Sequence, residues 1–205
     1  MKASDILVEE HRVIKRMLAC LERIAEEASL AGKLNDVAAE QALTFFREFA
    51  DKCHHAKEED RLFPVMESHG FTRHGGPTGV MLDEHVQGRK FIAAMSDAVT
   101  LAGEGDAEAV RAFRLNARNY VDLLLQHIDK EDHCLFRMAD QVLDDTAKQA
   151  LLEEFRQIET DAGGKRHETY IGMAQRLCEE YGVPFLEDQD VRLVRQVFMR
   201  IMECA

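Results

Sequence analysis

Residues 53–64 read CHHAKEEDRLFP and residues 127–136 read HIDKEDHCLF. In each stretch a histidine is followed four positions later by a glutamate, His54 with Glu58 and His127 with Glu131, and then by Leu-Phe. In an α-helix, positions i and i+4 share one face a turn apart, so each pair aims an imidazole and a carboxylate into one small volume. Apolar residues continue the same 4-3 spacing around both pairs. The stripe is Leu43, Phe46, Ala50, His54, Glu58, Leu62, Val65 in one segment, and Phe113, Ala117, Tyr120, Leu124, His127, Glu131, Cys134, Met138 in the other. Leu7, His11, Ile14, Leu18, Leu21, Ala25, Ala28 and Met81, His85, Gly88, Ile92, Met95, Val99 supply two further stripes. Sustained spacing of this kind marks the seam of a helical bundle. Four histidines and two glutamates stand where such a seam takes Leu or Ala.

The chain therefore reads as two similar helical hairpins. Glu9-Glu10-His11 in the first recurs as Asp83-Glu84-His85 in the second, and each hairpin supplies one lone histidine and one His-x-x-x-Glu pair. Glycine and proline clusters at Gly32, Gly70 to Gly79, Gly103 to Gly105, Gly163-Gly164 and Gly182 to Pro184 punctuate it. They predict helices near 4–31, 35–69, 79–102 and 106–139, then shorter ones near 145–162, 165–181 and 188–203. The fold class is all-α, an up-down-up-down four-helix bundle over 1–140 with extra C-terminal helices over 141–205. That extension carries apolar stripes, including Phe155, Ile158, Leu177 and then Val194, Phe198, Ile201, that either pack on the bundle or join copies into a homo-oligomer.

Short connections bring the starts of the first and third helices and the ends of the second and fourth to one end of the bundle. His11, His54, Glu58, His85, His127 and Glu131 then converge on a single layer. Burying two carboxylates without partners costs on the order of several kcal/mol per ion, and a pair of divalent cations removes that cost. Six nitrogen and oxygen donors without a thiolate exceed one tetrahedral zinc. Their imidazole content disfavours calcium and magnesium, leaving iron, manganese or zinc. The Glu-x-x-His signature of ferritin-like sites occurs nowhere in the sequence.

Composition sets the remaining bounds. A net charge of −12 over 205 residues excludes a nucleic-acid footprint. An N-terminus rich in acids, with no apolar run of about 18 residues, predicts neither signal peptide nor membrane span and a cytoplasmic location. The five cysteines, Cys20, Cys53, Cys134, Cys178 and Cys204, are scattered without a CxxC and read as free thiols. Cys53 and Cys134 are expected to be buried.

Over about residues 4–140 the chain resembles the hemerythrin-like (HHE cation-binding) proteins, most specifically at 53–64 and 127–136. GGPTGVMLDEHVQGR at 75–89 is similar to a bacterial subgroup. The resemblance implies two iron ions in an oxo- or hydroxo-bridged di-iron centre. His11 and His54 would bind one iron, His85 and His127 the other, with Glu58 and Glu131 bridging. Oxygen carriers of the family have a second histidine four residues after the first on the third helix; here it is Arg89. That leaves one iron with fewer imidazoles and argues against reversible oxygen carriage. Carriers also use an Asp at the place of Asp132, but Glu131 stays on the core stripe and is preferred. The implied function is binding of, or reaction with, a small diatomic or peroxide in sensing, detoxification or iron handling. Iron–sulfur cluster repair and a structural or iron-storing role are the alternatives.

Other residues read as bystanders. His55, about 100° around the helix from His54, is placed behind the site or on the surface, and His69, His74 and His133 on the surface, as is His167 unless the C-terminal helices fold over the bundle end. Tyr120 is read as core, Gly88 as a spacer beside the irons or a close helix contact. Glu59, Asp132 and His133 are expected to matter far less than the six ligands.

Overall fold

The computed structural model describes residues 2–161 and 165–185. Helix α1 spans Ala3–Ala31. Helix α2 runs without a break over 36–68, α-helical at Asp36–Phe45, π-helical at Phe46–His55 and Glu58–Leu62, and α-helical again at Phe63–Ser68. Helix α3 spans Pro77–Glu104. Helix α4 covers 107–142, with a π-helical turn at Glu131–Leu135 between Ala107–Lys130 and Phe136–Val142. Helices α5 (Asp145–Asp161) and α6 (Lys165–Glu180) complete the described chain, an all-α bundle with extra C-terminal helices. No strand occurs among the described residues, and no helix there is long and apolar enough to cross a membrane. The helix expected near 188–203 lies outside the described residues.

Local chemistry sets the boundaries. The side chains of Asn35 and Asp106 accept from the backbone N–H groups of Ala38 and Ala109, capping α2 and α4. Helices α1 and α3 end on Gly32 (φ 69°) and Gly105 (φ 92°), left-handed positions that a side chain would strain. These two turns adjoin at one end of the bundle, where Leu34 N–H donates to the Ala102 carbonyl. At the other end the start of α1 meets the end of α4 through a Lys2–Asp140 ion pair of 2.8 Å.

Phenylalanines fill the core: Phe45, Phe46, Phe49 and Phe63 from α2, Phe113 from α4 and Phe155 from α5 are all fully buried. Each is worth roughly 1.5–3 kcal/mol of apolar burial. Leu151, Leu152 and Phe155 on α5 and Ile171, Ala174 and Leu177 on α6 are buried in that same core. Cys178 of α6 meets Cys20 of α1 with sulfurs 3.1 Å apart, a contact between thiols that no spacing in the sequence announces.

The π-helical turns change which residues face inward. After Glu58 the buried positions are Leu62, Phe63 and Met66, with Val65 only half-buried; after Glu131 they are Leu135, Phe136 and Ala139. The expected stripe residues Cys134 and Met138 are exposed and half-buried, and Cys53 is half-buried, so neither Cys53 nor Cys134 is the buried thiol expected. An i→i+5 turn adds one residue and slips the inward face by one position. The slip is the same in both hairpins.

Candidate metal centre

All six residues singled out by the stripe pattern, His11, His54, Glu58, His85, His127 and Glu131, are at most 1% exposed. They fall into two overlapping groups whose ligand-type atoms lie within 4.8 Å of one another: His11, His54, Glu58 and Glu131, and His55, Glu58, His85 and His127. Glu58 belongs to both. Its oxygens lie 3.5 Å from Nε2 of His54 and 3.5 Å from Nε2 of His85. Glu131 Oε2 lies 3.3 Å from Nε2 of His11 and 3.2 Å from Nε2 of His127. Each carboxylate thus reaches one histidine from each hairpin.

Each of the four histidines also has a carboxylate behind it. Nδ1 of His11 donates to Asp132 (2.7 Å), of His54 to Glu10 (2.8 Å), of His85 to Glu59 (2.7 Å) and of His127 to Glu84 (2.9 Å). Each carboxylate is held in turn by a cation: Asp132 by Lys15 at 2.8 Å, Glu10 by Lys57, Glu59 by Arg89 at 2.6 Å, and Glu84 by Lys130. The backing residues obey the hairpin repeat. Glu10 and Glu84 precede the lone histidines, Lys57 and Lys130 stand three positions after the paired ones, and Lys15 corresponds to Arg89. With Nδ1 committed as donor, Nε2 is the nitrogen that each ring turns inward, and it offers a lone pair when the ring is neutral.

That inward surface lacks compensation from the protein. Both oxygens of Glu58, both of Glu131 and Nε2 of His11 have no hydrogen-bond partner, and Nε2 of His85 and His127 face each other at 3.0 Å. Burial and the charge of Glu131 hold Glu58 well above the usual carboxylate range. Glu131 is held well below that range, because His127 and His11 outweigh its own burial. Bare, the two carboxylates are thus driven apart, Glu58 toward its protonated form and Glu131 toward its charged form. Burial works against a charge on His127, yet Glu131 and Glu84 push it up to about 9. Divalent cations resolve all three conflicts, giving partners to the oxygens, to the lone pairs and to the second negative charge. The donor set fits two such ions.

A family profile, the hemerythrin HHE cation binding domain, matches residues 2–139. The chain belongs to this family. The search of curated proteins returned no match, nor did the search of solved structures. Membership in the HHE family makes this a metal-binding helical protein, and the paired His/Glu groups are where the metal can be held.

Several readings of single residues change. His55, placed behind the site or on the surface by the sequence, is 6% exposed, stacks on His85 at 3.8 Å and joins the second group. A step of 100° assumes α-geometry, and the π-helical Phe46–His55 underwinds the chain so that neighbours His54 and His55 both turn inward. His167 is buried against Phe49 at 4.7 Å rather than on the surface, because α6 folds over the bundle. It lies near Glu10 and Cys53 in a third group, where the Lys57 ammonium already donates to Glu10 and to the Cys53 sulfur (3.3 Å). His69, His74 and His133 are exposed as expected. Glu59 and Asp132 are not bystanders, since they back His85 and His11. Tyr120 is buried edge-on against Phe46, and its ring lies 3.4 Å from where a Cβ on Gly88 would stand.

A cavity of about 220 Å³ opens beside the second group, lined by Phe46, Ile92, Leu124 and Tyr120, with Gly88 on one wall and His55 and His85 at its inner end. Arg89 lies on the wall as well, half-exposed and paired to Asp51 and Glu59.

Proposed function

We propose that the chain is a cytoplasmic non-haem di-iron protein in which His11, His54, Glu58, His85, His127 and Glu131 hold two iron ions. It binds or reacts with a small ligand, dioxygen, nitric oxide or peroxide, in sensing, detoxification or iron handling. The observation that carries this reading is the pair of buried carboxylates, all four oxygens unpartnered, set among four histidine Nε2 atoms whose Nδ1 atoms are already committed. Bound iron would supply one-electron redox chemistry and an electrophilic centre for such ligands. The protein's own groups do the rest. Glu58 and Glu131, each between histidines of opposite hairpins, are placed to serve both metal positions. The carboxylates behind the imidazoles fix their tautomer and direction and raise their basicity. The cavity beside the second group gives a small ligand a place next to His55 and His85. An apolar cavity of about 150 Å³ already accepts benzene, so about 220 Å³ leaves room for a diatomic gas or peroxide. Burial and the charge of Asp51 push the Tyr120 phenol up, keeping it a proton-bearing group on the cavity wall.

The test is anaerobic reconstitution of metal-free protein with ferrous iron, followed by metal analysis. Two irons per chain are expected, with an optical spectrum that responds to azide or nitric oxide. One iron or none after full reconstitution overturns the dinuclear reading.

A further inference from the structure

We infer that His55 is a fifth imidazole ligand, completing the second metal position together with His85, His127 and Glu58. The inference rests on the di-iron reading and goes beyond the six-residue set. A buried core histidine needs only to have its nitrogens satisfied. His55 instead has the same three-part arrangement that stands behind each of the other four histidines. Its Nδ1 donates to Asp51 Oδ1 at 3.3 Å, and Asp51 accepts from Nε of Arg89 at 2.8 Å. Nε2 is then the remaining donor atom of a ring packed against His85, within a group whose ligand atoms lie within 4.8 Å of one another. Histidines that bind metal almost always donate their other N–H to a carboxylate or carbonyl.

The hairpin repeat supplies an independent argument, because it breaks here in a concerted way. The counterparts of His55 and Asp51 in the second hairpin are Ile128 and Leu124, apolar residues that back nothing. Lys15, the counterpart of Arg89, has Asp132 as its carboxylate partner, whereas Arg89 reaches both Glu59 behind His85 and Asp51 behind His55. Histidine, carboxylate and a cation able to span two carboxylates are present on one side of the pseudo-repeat. That asymmetry gives the second position three imidazoles against two for the first.

Cobalt(II) provides a redox-silent probe. Metal-free wild type and His55→Gln are titrated with cobalt(II) by calorimetry, and the loaded wild type is examined by proton NMR for exchangeable imidazole resonances shifted by the paramagnetic ions. The expected wild-type result is two ions per chain and five shifted imidazole N–H signals. In His55→Gln one ion should bind as in wild type and the other should weaken by more than the roughly 10–100-fold that follows loss of a group behind a ligand. Two ions with four shifted signals, or with unchanged affinities in His55→Gln, would place His55 outside the metal shell and leave the di-iron reading intact. Fewer than two ions in the wild type would instead remove the reading on which this inference rests. The signal count needs no variant, so it stands even if His55→Gln folds poorly.

Discussion

At the scale of single residues, the centre consists of histidines held from behind, and the strength of each hold predicts the effect of losing it. Glu58 lies between His54 and His85, and its loss removes an oxygen donor from both positions. Glu58→Ala should therefore release both irons together, while His85→Ala should deplete one in preference. Glu10→Gln, Glu84→Gln and Asp132→Asn keep the shape behind His54, His127 and His11 but lose the charge. Each should lower metal affinity about 10–100-fold without unfolding the chain. His133, exposed and bonded only along its own helix, should tolerate alanine. Competition with a chelator of known affinity ranks the series, and an Asp132→Asn site as tight as wild type would contradict the role of these carboxylates.

At the scale of helices, two features decide what the centre can admit and what holds the C-terminal helices in place. Gly88 on α3 leaves space against Tyr120 of α4, where an added Cβ would sit 3.4 Å from the ring. A methyl group fits, but the branched side chain of Gly88→Val would enter the cavity. Association of azide with the diferric protein should then slow at unchanged iron content, as measured by stopped-flow absorbance. Helix α6 rests on α1 and α2 through Ile171, Ala174 and Leu177, all buried. Leu177→Ala should cost about 2–5 kcal/mol in urea unfolding of the metal-free protein, the usual range for a truncated core leucine. A cost near zero would mean that α6 is not held by this packing.

Across the whole molecule, the buried charges make stability depend on pH with a definite sign. Burial disfavours the charged forms of Asp51, Glu59, Glu84 and Asp132, yet their histidine partners and the cations that hold them outweigh it and keep all four below the usual carboxylate values. Groups depressed in this way stabilise the fold above their unfolded values and lose that contribution as the pH falls through the folded ones. Metal-free protein should therefore lose stability steeply below about pH 4. His127 has the opposite sign: raised to about 9, it stabilises below its unfolded value of 6.5 and loses that contribution as the pH rises through the folded one. Urea midpoints of the metal-free protein should fall between pH 6.5 and 9 on this account. Bound metal needs neutral imidazoles, so the added stability of the loaded form should grow over the same interval. A metal-free midpoint that rises toward pH 9 would show that His127 is not the proton-holding group.

Helix periodicity is a local property of the backbone, and for that reason the sequence alone determined much of this protein. The 4-3 stripes placed His11, His54, Glu58, His85, His127 and Glu131 on inward faces, and the hairpin repeat put them at one level. Glycines at 32 and 105 marked the turns that bring those faces together. What the sequence could not determine depends on underwinding and on which surfaces meet. The π-helical turns brought His55 inward beside His54 and moved the buried positions after Glu131 from Cys134 and Met138 to Leu135, Phe136 and Ala139. Such turns have no residue signature comparable to an apolar stripe. Read along the chain, Arg89 was a missing histidine; in the fold it is the cation behind two carboxylates, because Asp51 and Glu59 of α2 come within reach only when α3 packs there. Cys20 against Cys178 and His167 against Phe49 likewise came from the docking of α6. Contacts between helices far apart in sequence leave no period to read, and tertiary packing alone decided them.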